Sequence, residues 1–409
     1  MLTVRAARQR GASRGRLGVA LAGGGPLGAF YELGVLHALS EVIEGRELNH
    51  FDVYVGVSSG ALIAAGLANG FDTTTMVSTF IHDESTLIPF SPENLLQPAI
   101  GAYARRMALW PQALIDIARQ YASEPLRGAW PAVLGSIAQV VPTAVFDNRP
   151  LERYLHEVFS RSGHTDEFAK LAARLYVVAT NLNTGESVAF GDAAHSQVPI
   201  SRAVIASAAL PGLYPAVQIS GQPYVDGALI RTMHASLALE SGCDLVICIN
   251  PLVPFDASHV REQAHANLAD KGLATILTQT FRALIHSRMQ VGMASYAARF
   301  PHADTLLIEP DRDDERLFFA NVFRYSGRNR LVEHAYQCTR RDLLRQADRL
   351  SALLARRGLR LNRERLRDRR RTCATAGRES AVRIRQTSRR LDHALRRLEA
   401  LLPEAQYLP

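Results

Sequence analysis

Lysine is almost missing from this chain. Of 47 basic residues only Lys170 and Lys271 are lysines, which leaves 45 arginines. That bias fits a GC-rich bacterial genome and by itself implies no chemistry. Long apolar runs are missing too: none approaches the roughly 18–20 residues that a membrane-spanning helix needs. The basic start, MLTVRAARQRGASRGR, lacks the apolar stretch of a secretory signal. A cytoplasmic location is the expectation, extended at most to a peripheral place at the inner membrane. Cysteine is sparse. Cys243, Cys248, Cys338 and Cys373 form no CxxC pair and have no histidine at metal-ligand spacing. Reduced thiols are therefore expected, and a metal site is not.

What is present suits a folded enzyme-sized protein. The 409 residues are 47% hydrophobic and 21% charged, enough for one large domain with appendages. The net charge of +8 is unevenly spread. Residues 351–409 hold 16 arginines against 6 acidic residues, a net of +10, so residues 1–350 sit near −2. Such a tail suits anionic lipid headgroups or nucleic acid, or is a solvated helical face. Within it Ile384, Ser388, Leu391, Leu395, Leu398 and Leu402 recur at three- and four-residue spacing, one helical stripe among arginines.

Along the chain, Leu17–Leu21 reads as a buried strand, a glycine turn follows, and Gly28–Leu39 carries helical periodicity. Phe51–Val57 repeats the strand, and Gly60–Leu67 continues as a small-residue helix. This alternation predicts an α/β fold around a mainly parallel sheet. Residues 83–145 break the rhythm with both tryptophans and seven prolines. They read as a helical insertion, either a lid or a packing subdomain. Further strands are expected at Leu175–Thr180, Ser187–Phe190, Leu245–Ile249 and Thr305–Ile308, with long helices at 266–297 and 331–356.

Two patterns carry chemistry. Gly56-Val57-Ser58-Ser59-Gly60 is a GxSxG pattern set between a strand and a helix. A sharp strand-to-helix turn exposes a serine hydroxyl on strained backbone, and only small neighbours fit beside it. Gly11-Ala12-Ser13-Arg14-Gly15 matches the same pattern but follows no strand and precedes no helix. The turn Gly23-Gly24-Gly25-Pro26-Leu27-Gly28 lies at the tip of the preceding strand. Its backbone N–H groups, at a helix start, suit developing negative charge. It also satisfies GxGxxG, yet the second strand ends in Val57-Ser58-Ser59 and not in the acidic residue that dinucleotide binding requires. A serine nucleophile needs a base. No histidine stands out by context. Asp226 ends a Tyr-Val strand and opens a turn at Gly227, which aims a short carboxylate across the sheet edge.

Together, the turn GGGPLG, the elbow GVSSG and Asp226-Gly227-Ala228 resemble the patatin-like phospholipases in order and approximate spacing. Ala206–Pro211 is similar to the segment before that family's aspartate, and Phe146–Leu151 to its loop re-entering the core. The resemblance covers about residues 17–340 apart from the insertion. It implies a three-layer fold for a catalytic domain (17–350), which the charge pattern sets between a basic leader (1–16) and an Arg-rich helical tail (351–409). It implies a Ser58–Asp226 dyad, an oxyanion hole from the amides of Gly23, Gly24 and Gly25, and structural glycines at Gly28, Gly56, Gly60 and Gly227. The substrate would be a phospholipid or another fatty-acyl ester met at a membrane surface; no cofactor is implied, and nucleic acid is not an expected partner. Leu27 stands where that family usually carries a basic residue, and Arg202 and Arg231 are the candidates to supply the charge instead. Two other readings stand beside this one. One is a Ser–His–Asp esterase using His234 or His259; the other is an inactive relative that binds lipid through its tail.

Overall fold

In a computed structural model of the chain, the described residues are 1–7, 15–82, 90–91, 93–99, 144–259, 267–320 and 327–376. The expected insertion lies almost wholly outside them, as do residues 377–409 of the expected tail and the serine of the second GxSxG match.

Nine strands form one sheet: β1 (Leu2–Arg5), β2 (Arg16–Leu21), β3 (Val53–Val57), β4 (Arg174–Asn181), β5 (Ser187–Phe190), β6 (Val217–Ile219), β7 (Gln222–Asp226), β8 (Cys243–Ile249) and β9 (Asp304–Ile308). Their order is β1-β9-β8-β2-β3-β4-β7-β6, with β5 also paired to β4. The five central strands, β9 to β4, run parallel. The outer pairings are antiparallel.

Side-chain alternation explains the layers. In β2 and β8, Leu17, Val19, Leu21, Leu245, Ile247 and Ile249 enter the larger core cluster. It is covered by helices α1 (Gly25–Val42), α2 (Ser59–Ala68), α3 (Arg149–Phe159), α4 (Ile200–Ser207), α7 (Arg328–Arg345) and α8 (Ala347–Ala355). The intervening Ala20, Val246 and Cys248, with Val53, Val55 and Val57 of β3, face a smaller cluster. That layer is closed by α5 (Ala235–Glu240) and α6 (Leu273–Arg299). Strands buried on both faces read as continuous aliphatic runs, as these do. The fold is the expected three-layer α/β arrangement.

Both ends of the expected domain are wider than the sequence suggests. The start of the leader is a strand: β1 pairs antiparallel with β9, and Leu2 and Val4 are buried. Two alternating apolar residues gave too short a pattern to register, and the partner strand lies some 300 residues away. At the other end, Arg360–Leu361 pairs with Ile43–Glu44, and Leu366, Cys373 and Ala376 are buried. Several tail arginines are committed to the body. Arg357 binds Asp304 at 2.7 Å, both buried. Buried Glu41 is held by Tyr336, Arg340 and Arg371. The body therefore continues to at least residue 376. The four cysteines are free thiols.

Candidate active site

Four chain segments converge at the carboxyl ends of β2, β3 and β7. β3 delivers Ser58 at its tip, where it is also the residue that opens α2. Its backbone sits at φ 53° and ψ −123°; among the described residues only Ser58 and Ser220 are non-glycine residues with positive φ. Such a conformation costs on the order of 1–3 kcal/mol and persists only where its surroundings enforce it. Here they do. A side chain at Gly56 would put a Cβ 2.4 Å from the Ala61 Cα, and one at Gly60 would sit 2.6 Å from the Ala22 carbonyl oxygen. The Ser58 N–H donates to Ser207 Oγ at 2.8 Å, and that hydroxyl donates to the Val178 carbonyl at 2.5 Å. Ser207 thus ties the turn to α4 and β4. The sequence presents it only as one small residue among several, so the tie was not legible there.

Asp226 ends β7, an antiparallel neighbour of β4. Ser58 Oγ donates to Asp226 Oδ2 at 2.6 Å, and the Ala228 N–H donates to Oδ1 at 2.8 Å. Gly227 allows the turn its closeness: a Cβ there would lie 2.3 Å from the Val178 carbonyl oxygen. Both Ser58 and Asp226 are buried. Burial pushes the Asp226 carboxyl up to about 6, against the downward pull of the bonds from Ser58 and Ala228. At neutral pH this carboxylate is ionised yet poised to accept a proton.

The glycine turn lies alongside. A Cβ on Gly23 would come within 3.0 Å of the Ser58 Cβ, and one on Gly24 within 2.6 Å of Pro251. Gly23 gives its N–H to the Thr232 carbonyl at 3.2 Å. Of the three glycines expected to offer amides, that leaves Gly24 and Gly25. Gly24 caps the 18-residue α1, whose first residues are Gly25, at φ +60°, and Pro26. First-turn amides have no intrahelical acceptor, and the helix start adds favourable potential for negative charge.

His234 does not join this arrangement. It is buried before α5, burial pulls its imidazole down to about 4, and its Nε2 has no partner. Among the described residues neither side-chain oxygen of Asp226 is bonded to a histidine. Arg202 is taken by Glu152 and the Gln218 carbonyl; Arg231 is exposed beside the Asp226 turn. A cavity of about 970 Å³ opens elsewhere, among Gln97, Arg149, Glu152 and Arg202. Among the described residues no group of three or more His, Cys, Asp or Glu side chains is gathered as a metal ion would need.

Residues 19–239 match the sequence model of the patatin-like phospholipases. The chain belongs to that family, and so, at family level, to the lipid hydrolases. Among solved structures it is similar to VipD from Legionella pneumophila, at 15% identity over 82% of this chain and 70% of that one, with a TM-score of 0.34. It is also similar to the type III effector protein ExoU, at 16% identity over 97% of this chain and 67% of that one, with a TM-score of 0.28. Among the described residues no helix is long and apolar enough to cross a membrane.

Proposed function

We propose that this protein is a lipid acyl hydrolase of the phospholipase A or lysophospholipase type, working through an acyl-Ser58 intermediate. The 2.6 Å bond from the Ser58 hydroxyl to Asp226 carries the reading. A hydroxyl is a weak nucleophile until a base within hydrogen-bond reach accepts its proton. As Ser58 Oγ attacks the ester carbonyl carbon, its proton passes to Asp226 Oδ2 and the carbonyl electrons move to oxygen. The amides of Gly24 and Gly25 stabilise that oxyanion, where a single well-placed donor is typically worth about 3 kcal/mol. Collapse of the tetrahedral species breaks the ester C–O bond, and the leaving alcohol takes the proton from Asp226. Water then attacks the acyl-enzyme, giving its proton to the same carboxylate; release of the fatty acid restores the Ser58 hydroxyl. Leu27 leaves both donor amides in place, because the family's usual cation there is a side chain.

The substrate class is the one the family supports. The test is incubation with diacylphospholipid vesicles, followed by mass spectrometry of the products. Free fatty acid with the matching lysophospholipid is expected, and Ser58→Ala should form neither. Equal fatty-acid release by that variant would sink the proposal.

A further inference from the structure

Helix α6 stands out among the surfaces of the protein. Twelve large hydrophobic residues are exposed among the described residues, and six of them lie on this one helix: Leu273, Ile276, Leu277, Phe281, Leu284 and Val291. Its inner stripe, with Met289, Met293 and Tyr296, packs on the sheet, so the outer apolar residues are surplus to the core.

Where they lie is fixed by length. α6 has 27 residues, a rod of about 40 Å, while β8 beneath it has 7, about 23 Å. The carboxyl end of α6 leads within five residues into β9, so it lies at the amino edge of the parallel strands. Its amino-terminal half therefore overshoots the opposite edge, the one that carries Ser58. Two contacts agree. Gln279 bonds to the backbone of Phe255, beyond the tip of β8, and Arg288 bonds the Ile230 carbonyl at 3.3 Å, four residues after Asp226. Five of the six exposed residues sit between 273 and 284, on that overhang. Leu229 and Leu210, both exposed, flank Asp226 on the rim.

Charge selects the occupant. From 273 to 299 the helix holds no acidic residue. Arg282 is buried and Arg299 pairs with Glu240 at the far end, which leaves exposed Arg288 on the helix and exposed Arg231 on the rim, while Lys271 is offset by exposed Asp270 before it. The chain's own segment 377–409 carries seven arginines against four acidic residues, the same sign as α6. A second copy presents the same positive face. An anionic bilayer supplies both apolar depth and opposite charge.

We propose that the amino-terminal half of α6, with Leu210 and Leu229, is the face by which the protein lies on an anionic phospholipid bilayer, so that the Ser58 rim opens toward the lipid. The helix lies in the interface and does not span it. The inference rests on the lipid-hydrolase reading above and adds the surface that presents the substrate.

The test is sedimentation of the full chain carrying Ser58→Ala, which leaves the lipid uncleaved, with phosphatidylcholine vesicles made with and without phosphatidylglycerol. Adding Phe281→Ser with Leu284→Ser should weaken partition by about tenfold or more. Adding Arg288→Ser should weaken it about fivefold, only on phosphatidylglycerol vesicles and less at high salt. Thermal melting matching that of the parent identifies variants that remain folded, as exposed substitutions should. Unchanged partition of the folded double variant would overturn the proposal. So would loss of partition in Leu391→Ser with Leu395→Ser alone, which would assign the contact to the tail. A dimer that Phe281→Ser with Leu284→Ser turns into monomer would overturn it in favour of a second copy. Hydrolysis of a soluble p-nitrophenyl ester by the unsubstituted chain tests the catalytic reading separately, because it needs no bilayer.

Discussion

Replacing Asp226 by Asn should make the protein more stable at neutral pH while removing its proposed base. The carboxyl is buried and raised from 3.8 to about 6. The folded state therefore holds this proton more tightly than the unfolded chain. Stability from this group is fully present below about pH 4, falls as pH rises between the two values, and stays low above about 6. At 1.36 kcal/mol per pH unit, the two-unit gap amounts to about 3 kcal/mol. Asparagine has nearly the same shape and never ionises. Its Oδ1 keeps the bond from the Ala228 N–H, and its Nδ2 can donate to Ser58 Oγ, so both bonds at this position retain a partner. Urea denaturation followed by circular dichroism measures the difference. The variant should exceed wild type by about 3 kcal/mol near pH 7.5, by about 1 kcal/mol near pH 4.5, and by nothing below about 4. A variant less stable than wild type at neutral pH, or a gap indifferent to pH, would refute the reasoning.

Other outcomes follow from the same geometry. Ester hydrolysis should rise with pH as Asp226 ionises and level off above about 6; a kcat/KM profile flat down to about pH 4.5 would contradict its role as base. Ser207→Ala strips the acceptor from the buried Ser58 N–H, so about 1–3 kcal/mol of stability and part of the activity should be lost together, read by thermal melting and p-nitrophenyl ester turnover. Gly60→Ala should yield little folded protein, since its Cβ meets backbone at 2.6 Å. Gly25→Ala meets no atom within 4 Å and pays only for its φ of +60°, about 1–2 kcal/mol; comparing soluble expression and melting temperatures separates the two. Arg357→Ala leaves fully buried Asp304 without its guanidinium and should cost about 3–5 kcal/mol, measured by urea midpoint.

The centre of the fold was legible because parallel strands buried on both faces are aliphatic runs, and β2 and β3 are each followed by a helix with glycine at its start. Ser58 could be told from Ser13 by that context alone. The strand end and glycine turn picked out Asp226 locally, but an Asp-Gly pair is more often an ordinary turn, and the resemblance gave the residue its weight. What escaped reading depends on distant partners. Leu2–Arg5 becomes a strand only because β9 offers an edge, and the tail arginines find Asp304 and Glu41 across the fold. The Gly23 amide looks identical to its neighbours in sequence, yet the Thr232 carbonyl takes it. The outer face of α6 was hidden because apolar residues occur on both its sides, so no clean stripe marks which side is buried.

The central claim is that Ser58, activated by Asp226, is the residue that becomes acylated. Treatment with a fluorophosphonate and peptide mass spectrometry addresses it most directly. A single adduct on the peptide containing Ser58 is expected, absent in Ser58→Ala and strongly slowed in Asp226→Asn. An adduct on a different serine, or undiminished labelling of Ser58→Ala, would contradict the account.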